Sequence, residues 1–252
     1  QFSHGRKMIC IDNRHQHYRW FGNYVIKNDN VKIFTTYGIH PKYIPSDAPI
    51  ILKQLENIFK NEFELNTTTV AIGECGIDET SNRSNDVQLH IFKSQLKLAS
   101  EFKIPLVLHA PGFNSFETIF RELKFYLNND HNIHWHCINP KSNLNVVSNF
   151  LQHFNNSFIG LNGSMITSID DDAQTNFNKW LVTQDNIMDR IILETDYPFL
   201  RPSTLQPKEY TPISGITISA QHIINILRIK NLNTTKIIDR SNHNIRRMYR
   251  ID

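Results

Sequence analysis

Only three cysteines occur in 252 residues. That small, odd number argues against a disulfide framework and for a reducing, cytoplasmic or nuclear setting. No run approaches the ~18 consecutive apolar residues of a membrane span, and the opening QFSHGRK lacks the apolar core of a signal peptide. Internal repeats, low-complexity tracts and Gly/Ser linkers are also missing, so residues 1–252 read as a single domain. Charge of one sign is scarcely in excess: 27 Lys and Arg against 24 Asp and Glu leave +3. Such a balance excludes a protein built to coat nucleic acid but permits an anionic substrate. What is present is apolar substance. Hydrophobic residues make up 40% and aromatics 11%, which excludes global disorder.

Seven near-continuous apolar, β-branched runs predict strands covered on both faces. They are Met8–Asp12, Lys32–Gly38, Thr68–Glu74, Pro105–His109, Asn132–His136, Ser157–Leu161 and Arg190–Glu194. Amphipathic stretches separate them. The clearest, Val87–Phe102, offers Val87, Ile91, Leu96, Leu98 and Ala99 as its apolar face, and two more helices close the chain at Ile218–Ile229 and Thr234–Tyr249. The segment Arg201–Thr211 reads as a surface loop. Candidate strand ends at Asp12, His40, Glu74, His109 and His136 lie 28, 34, 35 and 27 residues apart, close to the ~30 of one βα unit. The expected architecture is an α/β, TIM-type (β/α) barrel. Seven strands fall one short of eight, so the first βα unit is expected upstream and the domain N-terminally truncated. An open doubly wound sheet is the competing arrangement.

Ligands of parallel α/β proteins bind at the carboxyl ends of the strands. Here those ends read GIHPK (Gly38–Lys42), AIGECGID (Ala71–Asp78), PLVLHA (Pro105–Ala110), NIHWHC (Asn132–Cys137) and LETDYP (Leu193–Pro198). A single His or acid there is more often a rim residue or a helix cap. Five in succession converge on one mouth, and mixed nitrogen and oxygen donors suit divalent metals.

These motifs, with the helix QLHIFKSQLKLA (Gln88–Ala99) and the closing NIRRMY (Asn244–Tyr249), resemble the TatD-like metal-dependent deoxyribonucleases, an amidohydrolase-type barrel family. The resemblance runs from about Ile9 to the C-terminus. It implies that Glu74 bridges two divalent cations, with His109, His136 and Asp196 as further ligands, Asp196 standing beside the attacking water. Glu74 and Asp196 would be the catalytic pair and His40 a substrate-facing histidine. The implied activity is metal-dependent phosphodiester hydrolysis: a deoxyribonuclease, as an exonuclease on single-stranded or frayed DNA ends. Mg²⁺ is the implied metal, with Zn²⁺ or Mn²⁺ acceptable to the same donors. No membrane and no stable protein partner are expected.

The chain departs from the family pattern at several positions. The usual Asp-x-His-x-His of the first strand has no match; His15 and His17 follow Asp12 with an extra residue and lie too close to His40, so they read as exposed residues and not as ligands. Lys42 replaces the second His of GIHPH, Pro111 stands where an Arg often follows, and HCINP replaces HCFTG. Losing that Arg removes a bidentate phosphate anchor, for which Lys42 or Arg201 are candidates, Lys42 as the substrate-binding residue. His134, two residues before His136, shares its side of the strand as outer donor, alternative ligand or packing residue. Cys75 and Cys137 are expected as buried, helix-facing thiols. Two other functions remain open: hydrolysis of a lactone, amide or phosphotriester, and a catalytically impaired barrel acting as a binding protein.

Overall fold

An apolar run forms a strand where its alternate side chains find a layer to pack against on either face. The computed structural model describes residues 8–14, 31–61, 68–166 and 171–251. The strands are β1 (Met8–Arg14), β2 (Val31–Tyr37), β3 (Thr69–Gly76), β4 (Leu106–His109), β5 (Ile133–Trp135), β6 (Ser157–Leu161) and β7 (Ile191–Leu193). Between and after them come α1 (Ala48–Asn61), α2 (Asn85–Phe102), α3 (Ser115–Tyr126), α4 (Leu144–His153), α5 (Asp171–Thr183), α6 (Pro212–Leu227) and α7 (Thr234–Tyr249). Every strand pairs in parallel with its neighbour in sequence, in the order β1 to β7. That order is the winding of a TIM-type barrel.

Two cores follow from this winding. The larger lies between sheet and helices and includes Leu55, Ile72, Phe92, Leu108, Trp135, Phe150 and Leu161. The smaller is enclosed by the sheet: Phe34 of β2, Val70 and Ala71 of β3, Val107 of β4, Phe158 of β6 and Ile192 of β7 meet Met248, Tyr249 and Ile251. Side chains from β2, β3, β4, β6 and β7 reach one inner cluster because the sheet curls. The end of α7 fills its floor, where Asn132 donates to the carbonyls of Arg247 and Met248 at 2.8 Å.

Two helices differ from expectation. In α2 the buried positions are Gln88, Ile91, Phe92, Gln95, Leu96 and Ala99. Val87, expected on the apolar face, is 44% exposed, because polar Gln88 and Gln95 take the inward line. Helix α6 begins six residues before the expected Ile218, since Thr211 caps it through Ser214 and Pro212 opens its first turn. His15 and His17 fall outside the described residues.

Candidate active site

The first strand end is built around a turn. After β2 the chain enters a short 3-10 turn, Pro41–Tyr43, capped by His40, whose Nδ1 accepts the Lys42 backbone N–H at 3.1 Å. In the neutral ring this leaves the proton on Nε2, which faces Glu74 Oε2 at 3.6 Å. His40 is therefore oriented as a donor into the site. Its position is fixed from α2: the Gln95 amide accepts from Ile39 N at 2.7 Å and donates to Ile39 O at 3.1 Å. Two helical turns away, Gln88 treats the loop after β3 alike, accepting from Asp78 N at 2.8 Å and donating to Asp78 O and Arg83 O. Buried amides satisfy backbone groups that a loop at the barrel rim would otherwise leave bare.

Glu74 and His109 meet across β3 and β4. Gly76, at φ +151°, permits this: a Cβ there would lie 2.0 Å from the His109 carbonyl oxygen. His109 Nδ1 stands 3.6 Å from Glu74 Oε2, and its Nε2 stands 3.3 Å from Asp78 Oδ2. Burial pushes the Asp78 carboxyl up, but hydrogen bonds from His109 and Thr80 prevail and hold it below the usual range.

The other side is supplied by β5, β6 and β7. His136 Nδ1 donates to Glu194 Oε2 at 2.8 Å, leaving Nε2 to face Glu74 Oε1 and Asp196 Oδ2, each at 3.9 Å. Burial disfavours a charged His136 ring, yet the Glu194 and Glu74 carboxylates outweigh it and raise the pKa well above 6.5. Asp196 sits at the mouth with φ +52°, a left-handed conformation that Asp tolerates. Desolvation and the Glu74 and Glu194 charges raise its pKa, against the pull of His136.

The expected residues His40, Glu74, His109, His136 and Asp196 thus lie around one mouth. Glu74 is central, its Oε2 toward His40 and His109 and its Oε1 toward His136. Imidazole nitrogens and carboxylate oxygens aimed at a common space are a donor set that fits a divalent cation. His40, Glu74 and His109 place one such atom each within 4.8 Å of one another, as do His136, Cys137 and Glu194. In the second trio the 2.8 Å His136–Glu194 separation is a hydrogen bond, so its geometry is that of a supporting contact.

Lys42 is exposed, and its backbone anchors His40. The Arg201 guanidinium donates to Leu205 O within its own loop. His134 touches Glu194 and the Tyr249 hydroxyl, so it stands behind the mouth. Cys75 is buried as expected, but Cys137 is only half-buried and contacts Asn162 and Ser164. Its φ of +62° breaks the strand alternation on which that expectation rested. Asp78 and Glu194 were not singled out by sequence reasoning, although both stand inside quoted motifs. The available signal for Glu194 was its place two positions before Asp196 in the same motif.

Among the described residues no helix is long and apolar enough to cross a membrane. The sequence profile of the TatD related DNase family matches residues 1–250. The chain is 28% identical over 188 residues to an uncharacterized metal-dependent hydrolase of Buchnera aphidicola, covering 73% of this chain and 63% of that protein. It is 26% identical over 223 residues to the human 3'-5' RNA nuclease TATDN2, covering 86% of this chain and 27% of that protein. A 77-residue segment is 35% identical to the 3'-5' ssDNA/RNA exonuclease TatD of Pantoea sp., 30% of this chain and 28% of that one. All three alignments span less than two thirds of the relative's length. The TatD homologue YJJV from Escherichia coli K12 shares the fold, with a TM-score of 0.73 at 18% identity over 98% of this chain and 87% of that chain. With the family profile running through nearly every residue and the barrel mouth formed from its motifs, the chain belongs to the TatD related DNase family.

Proposed function

We propose that the protein is a divalent-metal-dependent phosphodiesterase that trims nucleic-acid ends, a deoxyribonuclease of exonuclease type with two cations at the barrel mouth. The observation that carries this reading is the division of Glu74, one carboxylate oxygen toward His40 and His109 and the other toward His136. Glu74, His109, His136 and Asp196 would hold the metal; bound there, a divalent cation supplies Lewis acidity and lowers the pKa of a coordinated water. Asp196 accepts the proton of the attacking water. The Nε2–H of His40 donates to an oxygen of the scissile phosphate, and exposed Lys42 contacts the phosphate beyond it. Mg²⁺ is the metal of choice under the family reading, though the imidazoles accept Mn²⁺ or Zn²⁺.

Single-stranded or frayed ends are favoured by the rim. Tyr43, Phe113, Tyr197 and Phe199 are 45%, 58%, 50% and 66% exposed, and all lie in loops that leave the strand ends. Bases freed from a duplex stack on such rings without sequence preference. The relatives named as ssDNA/RNA exonuclease and RNA nuclease support the substrate class. Among the described residues no strand ends on the lysine that carboxylation in a lactone or phosphotriester site would need, Lys42 lying exposed in the turn beyond β2. End-labelled single-stranded DNA, duplex DNA and RNA, incubated with Mg²⁺ or Mn²⁺ and then with a chelator, test the proposal. Stepwise shortening of single strands that stops on chelation is expected. Metal binding without cleavage of any of the three would return the chain to the impaired-barrel reading.

A further inference from the structure

Glu194 belongs to none of the expected ligand sets, yet four donors converge on it. His136 Nδ1 at 2.8 Å and His134 Nε2 at 3.3 Å face Oε2; the Cys137 N–H at 2.7 Å and Asn162 Nδ2 at 3.1 Å face Oε1. The His134 approach is close but poorly aligned. Space for the carboxylate is built into β6, because a Cβ on Gly160 would lie 2.4 Å from both Glu194 oxygens. Behind it, His134 Nδ1 lies 2.9 Å from the Tyr249 hydroxyl. Tyr249 is buried in the inner cluster at the end of α7. If its O–H donates to Nδ1, the His134 proton sits on Nε2 and points at Glu194. A hydrogen bond from the mouth and a close imidazole held from the floor then meet the same carboxylate.

We infer that Glu194, backed by His134 and Tyr249, is a positioning residue that holds Nε2 of His136 toward Glu74 and Asp196, where a bound cation would take the place of its proton. The inference rests on the reading of His136 as a cation ligand. An imidazole with an unpaired Nδ1–H can turn about its side-chain bond or move its proton to Nε2, and either change withdraws the lone pair. A carboxylate acceptor forbids both. Glu194→Gln keeps the shape and reverses this logic. The new amide oxygen satisfies the Cys137 N–H and Asn162, and its NH₂ then opposes both imidazole donors.

The test uses Mn²⁺ alone as probe, by titration calorimetry, together with ¹⁵N spectra of the His136 ring and the melting temperature of the metal-free protein. Glu194→Gln should bind Mn²⁺ about 10–100-fold more weakly, with the Nδ1-bound proton signal of His136 lost and metal-free melting little changed. Tyr249→Phe should weaken Mn²⁺ several-fold and shift the His134 signals. A folded Glu194→Gln protein with wild-type Mn²⁺ affinity and unchanged His136 signals overturns the inference. Should Glu194→Gln not fold, Tyr249→Phe decides, and unaltered affinity and spectra there overturn it equally. If the wild-type protein binds no Mn²⁺, the metal-centre reading falls by itself. The positioning role is then judged on the His136 spectra of the metal-free wild-type and Glu194→Gln proteins, where identical signals overturn it.

Discussion

Glu74 is nearly buried, and its two oxygens serve opposite walls of the mouth. Removing the carboxylate leaves those walls with no common partner while sparing the core around Ile72. Glu74→Ala should therefore lower turnover at least ~10³-fold, the scale of deleting a principal transition-state stabiliser, with unfolding by urea little changed. Asp196 differs because it stands at the exposed rim. Asp196→Asn preserves shape and removes the proton acceptor, so DNA binding, read by fluorescence anisotropy, should persist while cleavage falls; equal losses would indicate misfolding. A third residue reports on acid. His131 is buried, and desolvation lowers its pKa from 6.5 despite the 2.8 Å contact with Ile104 O. The unfolded chain thus binds a proton more readily, and the stability His131 contributes above pH 6.5 is lost as pH falls toward its folded value. His131→Gln should narrow the drop in urea midpoint between about pH 7.5 and about pH 5.5. An undiminished drop would place the acid sensitivity elsewhere.

At the scale of elements, α2 does more than cover the sheet. Its two inward glutamines hold the loops that carry His40 and Asp78. Gln95→Leu leaves the N–H and carbonyl of Ile39 buried without partners, at about 1–3 kcal/mol for each group. A lower melting temperature and a disordered His40 ring in the proton spectrum are the expected result. The seven strands were legible within a residue or two at most ends, because a strand buried on both faces writes a continuous apolar run. The mouth was legible too, since its acids and imidazoles close those runs. Gln88 and Gln95 were not, for each is a polar residue in a helical pattern and its partner lies 10 or 56 residues away. Local periodicity holds no trace of such pairs. Glu194 escaped for a related reason: four contacts made by distant donors distinguish it, and none of them alters the pattern around it. The start of α6 was misplaced because Thr211-Pro212, a cap followed by a first-turn proline, sits in a stretch whose prolines also suit a loop.

For the whole molecule, the inner cluster sets the order of events during synthesis. Strands β2, β3, β4, β6 and β7 contribute Phe34, Val70, Val107, Phe158 and Ile192, but Met248, Tyr249 and Ile251 complete the cluster. A ribosome makes these three after every strand among the described residues. Until they leave the exit tunnel, a nascent chain can pair its strands in sequence while the barrel floor stays open to water. Chains arrested between Leu193 and Arg247 should remain sensitive to protease within the strands, and extension through Ile251 should bring resistance in one step. Resistance already present before Tyr249 emerges would show that the floor closes without it. Because Tyr249 also reaches His134, prematurely terminated products would lack both a sealed interior and a properly held mouth, and so a half-made chain would not carry half of a working site.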